Sequence, residues 1–144
     1  MKNKQSVHEA VFQLSYDLGL QIAPKLENLN VKLAPQQLRA MRQIWVDGES
    51  TLIDIAKTLK RDKAQIKRLL DELCSLKMIE RIPNPNDGRS KLLILTNNGR
   101  EFFEKVEKVE AEFSKQLTKG IEKEQLDTFF LVSSCLIENL RNID

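Results

Sequence analysis

Cysteine, histidine and tryptophan are scarce in this chain of 144 residues, which has two Cys, one His and one Trp. Two thiols cannot frame a disulfide-stapled secreted module. The single histidine, His8, excludes a His-rich metal cluster, and no nucleophile, base and orienting group gather around it in sequence. Five Gly and four Pro are few for an all-β chain, whose many turns consume both. No apolar run reaches the ~18 residues that cross a bilayer. The polar start, Met1 to Gln5, does not read as a signal peptide. A glycine-rich phosphate loop is also missing. These absences argue against an enzyme, and they point to a soluble, cytoplasmic, mostly helical chain of one ordinary domain.

Charge is plentiful and unevenly placed. The formal net charge is only +2. Resolved along the chain, residues 1–56 are neutral, residues 57–100 carry +6 and residues 101–144 carry −4. A basic middle third in a nearly neutral protein is the footprint of a polyanion-binding face. A solvated, Lys-rich surface would look the same on charge alone.

Periodicity supplies the elements. Val7, Val11, Leu14, Leu18 and Ile22 form a stripe of helical spacing that Pro24 is expected to limit. Residues 25–33 read either as a further short helix or as an irregular connection. Pro35 suits the first turn of a helix whose buried face is Leu38, Met41, Ile44 and Trp45, closed by Asp47-Gly48. Ser50 is the expected cap of a third helix with Leu52, Ile55, Ala56 and Leu59 inward. After the turn Lys60-Arg61, Asp62 caps a fourth helix over residues 63–77, with Ile66, Leu69, Leu70, Leu73 and Leu76 as its stripe. Two such helices around a turn of about four residues, the second basic in its first half, read as a helix-turn-helix.

The next segment alternates apolar and charged residues, Ile79-Glu80-Arg81-Ile82, as a half-buried strand does. Pro83 to Gly88 are dense in turn formers, and Leu92 to Leu95 make a second strand. The result is a β-hairpin with Arg89, Ser90 and Lys91 at its tip, so the whole is a winged helix. Thr96 caps a long helix ending at Gly120, with Phe102, Phe103, Val106, Val109 and Phe113 along one seam. The last helix, residues 122–142, is apolar on more than one side, which one packing partner cannot cover; a second chain is expected there. The fold class is therefore mainly α with a small hairpin wing. Residues 33–96 form the winged helix-turn-helix, and residues 1–32 and 97–144 form a helical dimerisation region.

Arg61, Lys63, Gln65, Lys67 and Arg68 are the candidates for major-groove contact. Arg and Lys suit guanine O6 and N7, Gln suits adenine N6 and N7, and phosphate contacts would only position the helix. Arg89 is the candidate for the minor groove, whose negative potential draws a guanidinium. Asp87 is expected to orient Arg89 rather than to touch DNA, though a plain surface ion pair would use the same two residues. Cys74 and Cys135 sit on apolar stripes and read as buried small hydrophobes.

Leu33 to about Val106 resembles the multiple-antibiotic-resistance regulator (MarR) family of bacterial winged-helix regulators. The resemblance rests on Leu33-Ala34-Pro35-Gln36-Gln37-Leu38-Arg39, Leu52 to Leu59, and Ile66 to Leu73. It continues through Met78-Ile79-Glu80-Arg81, Pro85-Asn86-Asp87-Gly88-Arg89 and Leu95-Thr96-Asn97-Asn98-Gly99-Arg100. It implies a homodimer whose paired winged helices face a pseudo-palindromic operator on double-stranded DNA. Recognition helices then enter major grooves, and wings bearing Asp87, Arg89 and Lys91 reach minor grooves. It also implies control by a small, often phenolic, effector or by an oxidant. Three departures stand out: Arg61 replaces a usual aliphatic residue, Ala64-Gln65 replaces a frequent Ser-Thr pair at the front of the recognition helix, and Gly88 replaces a frequent Arg. Oxidant-sensing relatives use a Cys in the first helix, and this first helix has none. Trp45, Tyr16 and the phenylalanines could line an effector cavity, although such residues at helical spacing usually form core.

Together these readings give a homodimeric, sequence-specific DNA-binding transcription regulator without a cofactor, a repressor released by a small-molecule effector. The alternative is a winged-helix protein–protein adaptor that binds no DNA. The basic residues at both recognition helix and hairpin argue against it.

Overall fold

The computed structural model describes residues 4–29 and 31–144; residues 1–3 of the polar start, and Asn30 within the 25–33 connection, lie outside the described residues. The elements run α1 (Val7–Glu27), α2 (Pro35–Asp47), α3 (Leu52–Leu59), α4 (Lys63–Ser75), β1 (Ile79–Pro83), β2 (Lys91–Leu95), α5 (Asn97–Leu117) and α6 (Lys123–Arg141). Residues 1–110 form one compact unit and residues 111–144 another. No helix among the described residues is long and apolar enough to cross a membrane.

Caps explain where the helices begin. Ser6 Oγ accepts from the Glu9 N–H while the Glu9 carboxylate accepts from the Ser6 N–H, a reciprocal box that opens α1. Pro24 does not end α1, contrary to expectation: the helix continues one turn to Glu27. A proline there forfeits one backbone hydrogen bond. Leu26, on the added turn, packs with Leu29, Val31 and Leu33 against the buried core, and that burial offsets the loss.

Ser50 is likewise not the cap of α3. Thr51 takes that role, its hydroxyl accepting from the Asp54 N–H at 3.2 Å. Ser50 is extended and exchanges both backbone hydrogen bonds with Leu93, at 3.1 and 2.7 Å. The hairpin thus gains a one-residue third strand from the helix-turn-helix itself. α4 stops at Ser75, which leaves Leu76 half exposed as the closing residue instead of on the buried stripe.

The core lies in the first unit. Met41, Ile44, Ile55, Leu70, Leu73, Phe103 and Val106 are fully buried. β1 and β2 pair antiparallel, Ile79 opposite Leu95 and Pro83 opposite Lys91. Ile79, Leu93 and Leu95 face inward, so the hairpin base is part of the core. Where the chain leaves the hairpin, Gly99 is buried so close to β1 that an added Cβ would stand 2.0 Å from the Met78 carbonyl oxygen. Only glycine fits there.

Apolar side chains elsewhere stay uncovered. On α1, Val7, Phe12, Leu14 and Tyr16 are more than half exposed. In the second unit α6 buries no residue, and Phe129, Phe130, Leu131 and Leu140 are more than half exposed.

Candidate nucleic-acid interface

The first unit leaves one side of α4 exposed. Lys60, in the left-handed region at φ 54°, ends α3. Asp62 then caps α4, its Oδ1 accepting from the Gln65 N–H at 2.8 Å. Burial of Ile66, Leu70 and Leu73 turns the opposite side outward. Arg61, Lys63, Ala64, Gln65, Lys67 and Arg68 are all exposed. Gln37 fixes the helix from behind: its Oε1 accepts from the Ala34 N–H at 2.9 Å, and its amide donates to Glu72 at 2.7 Å. One buried glutamine therefore caps α2 and ties it to α4.

The wing tip is ordered by its own side chains. Asn84 Oδ1 accepts from the Asn86 N–H at 3.0 Å, and Asn84 Nδ2 donates to Ser90 Oγ at 2.9 Å. Asp87 Oδ1 accepts from the backbone N–H of Arg89 at 2.9 Å. Asp87 therefore shapes the turn that carries Arg89; among the described residues it forms no ion pair with the guanidinium, which was the expected contact. Gly88 has no positive φ and nothing within 4 Å of a would-be Cβ, so the turn does not need a glycine there. Arg89 and Lys91 are exposed. Both line a cleft of about 240 Å³ with Arg81, Ser90 and the start of α3.

Sequence reading missed a cluster between α4 and the wing. Asp71 accepts from Lys67 Nζ at 3.0 Å and from Arg81 Nη2 at 2.6 Å. Those hydrogen bonds, Lys67 first and Arg81 second, hold its carboxyl below the usual carboxylate range. Arg81 Nη1 also lies 3.2 Å from Cys74 Sγ. The sequence places Arg81 in a half-buried strand, and its partner ten positions back has no local signal. Neither thiol is the buried hydrophobe expected. Cys74 is half-buried, with burial pushing its thiol up, and Cys135 is exposed.

Behind the reading surface, α2 is braced on α5. Trp45 Nε1 donates to Glu107, and Arg42 lies over the Phe103 ring while donating to both Glu110 oxygens at 2.6 and 2.8 Å. Beside this brace an apolar cavity of about 540 Å³ is lined by Ile22, Leu26, Leu33, Leu38, Phe102 and Val106, with Lys32, Arg39 and Glu27 as its charged residues. Of the aromatics considered for an effector cavity, Phe102 lines it, whereas Trp45 packs on Phe103 and Tyr16 lies at a separate surface recess. No group of His, Cys, Asp and Glu among the described residues is arranged to hold a metal.

Residues 33–91 match the model of the MarR family. The multiple antibiotic resistance protein MarR of Salmonella typhimurium is 28% identical over 134 residues, covering 89% of this chain and 93% of that one. The uncharacterized HTH-type transcriptional regulator YdgJ of Bacillus subtilis is 27% identical over 112 residues, covering 78% and 68%. Among solved structures, the S. aureus MepR–DNA complex superposes with a TM-score of 0.80 at 20% identity, covering 96% of this chain and 99% of that one. Reduced MarR from E. coli gives 0.73 at 22% identity, covering 94% and 98%. The winged-helix fold is shared with both.

Proposed function

We propose that this chain is a MarR-type regulator: homodimeric, sequence-specific in its DNA binding, and a repressor released by a small-molecule effector. The observation that carries the reading is one compact unit with two cationic elements exposed. Arg61, Lys63, Ala64, Gln65, Lys67 and Arg68 form the major-groove surface. Arg89 and Lys91 form the minor-groove tip, on a turn shaped by Asp87. The likeness to the MepR–DNA complex supports double-stranded DNA as the partner. The uncovered faces of α1 and α6 support a second copy, which a pseudo-palindromic operator with half-sites about one helical turn apart requires.

Release fits the cavity beside α2 and α5. Its apolar lining suits a small aromatic compound, phenolic or carrying an anionic group, with two cations, Lys32 and Arg39, against the one carboxylate of Glu27. A ligand there would touch Leu38 on α2 and Phe102 on α5, the two helices that the Trp45 and Arg42 bonds hold together.

Footprinting on the chain's own upstream region, with a titration over salt and sedimentation of the free protein, tests the reading. Expected are a dimer, a protected palindrome and affinity that falls steeply with salt. Failure to bind at low salt would favour the protein–protein adaptor. A monomer that still protects a palindrome would refute the dimeric architecture.

A further inference from the structure

We propose that Asp71 is the specificity-determining residue of the reading surface: it holds Lys67 and Arg81 away from indiscriminate phosphate contact. The inference rests on the DNA-binding reading above and adds a role for an acid placed beside DNA. An exposed carboxylate close to a polyanion is repelled by it, so its presence there calls for a function that its charge opposes.

The geometry supplies one. Lys67 leaves α4 on the outward side, but its ammonium lies along the helix against Asp71 Oδ2 at 3.0 Å, one turn toward the C-terminus. Arg81 comes from β1 and meets the other oxygen, Oδ1, at 2.6 Å. One carboxylate thus neutralises two cations from two elements. A free lysine binds any phosphate equally and adds affinity without information. A lysine held by an acid adds little to non-specific binding, leaving the neutral Gln65 to meet bases with Lys63 and Arg68, for which no ion pair is formed among the described residues. Arg81 on the same acid also fixes the wing's first strand relative to α4, and so the spacing between the two points of contact.

The test compares the wild type with Asp71→Asn and with the double variant Asp71→Asn, Lys67→Gln. The probes are a duplex selected by the wild type from a randomised pool and a scrambled duplex of equal length, each titrated over salt. Asp71→Asn should bind the scrambled duplex several-fold more tightly. Its salt slope there should be steeper by about one for each cation freed. Its affinity for the selected duplex, where base contacts already fix the register, should change little, so its preference for that duplex should fall by the same several-fold factor. The double variant should lose most of the gain on scrambled DNA. A role in structure alone would weaken both duplexes together, and that parallel loss would overturn the proposal. So would unchanged scrambled affinity in Asp71→Asn. A wild type that retains no duplex at low salt would overturn the DNA reading, and this inference with it.

Discussion

The indole N–H of Trp45 on α2 donates to Glu107 Oε1 on α5 at 2.7 Å, and the same indole lies 5.4 Å from the Phe103 ring. This contact joins the helix-turn-helix to the helix that follows the wing. It also lends the protein a reporter, because Trp45 is the only tryptophan. Glu107→Ala should cost about 0.5–1.5 kcal/mol, the net value of one such bond. Its melting point should fall by a few degrees, about 2–4 °C per kcal/mol in larger domains. Tryptophan emission should shift with it. If emission and melting both match the wild type, the bond contributes nothing.

Two glycines should behave oppositely. Gly99→Ala must move the Met78 backbone, since its Cβ would sit 2.0 Å from that carbonyl oxygen. A loss of about 1–3 kcal/mol, typical of overpacking, is expected in denaturant unfolding. Gly88→Arg meets open space. It should leave stability within about 0.5 kcal/mol, as for a surface change, and tighten DNA binding by adding a cation to the wing. Equal melting of the two variants would contradict the packing at Met78.

At the wing, Arg89→Ala should weaken binding by about 1–3 kcal/mol, the range for one specific contact. The loss should concentrate on duplexes with A·T-rich flanks, where the minor groove is narrow. Asp87→Ala should also weaken binding, because it removes the acceptor for the Arg89 N–H and loosens the turn. Asp87→Asn keeps an acceptor and should retain most of the affinity, measured by anisotropy. Full affinity in Arg89→Ala on both flank types would remove the minor-groove contact.

Asp71 gives stability a defined pH dependence. Its hydrogen bonds from Lys67 and then Arg81 lower the folded-state value below 3.8, the ordinary value. The unfolded chain therefore binds this proton more readily, and the stabilisation is fully present above the unfolded value. It is lost as pH falls through the lowered folded value. Wild type should melt slightly above Asp71→Asn at neutral pH, with the two converging below about pH 3.8. A gap that widens in acid would reverse the assignment.

Most of the architecture was legible in the sequence because it rests on local signals. Asp62 caps α4, Pro35 opens α2, Thr96 Oγ1 accepts from the Gly99 N–H to start α5, and Ile79 to Leu95 alternate as a hairpin. The misreadings arose where a distant partner overrode a local rule. Pro24 stays helical because Leu26 reaches the core. Ser50 gives up its cap because Leu93 claims its backbone. The exposed candidates on α4 could be read from periodicity, since Lys63, Ala64, Gln65, Lys67 and Arg68 fall outside the buried stripe of Ile66, Leu70 and Leu73. The Asp71 cluster could not, because Lys67 and Arg81 converge on it from two elements.

The hairpin's two ends are fastened within a single turn of chain. Thr96 donates its N–H to the Met78 carbonyl and its hydroxyl to that of Lys77. Everything from 79 to 95 is thus an excursion that returns to its own origin, and its closure involves only a short loop. Contacts so near in sequence lower the contact order and favour early formation of the hairpin, on the microsecond scale of such elements. The single rung between Ser50 and Leu93 is the longer-range contact, joining the wing to the helix-turn-helix across more than forty positions of sequence.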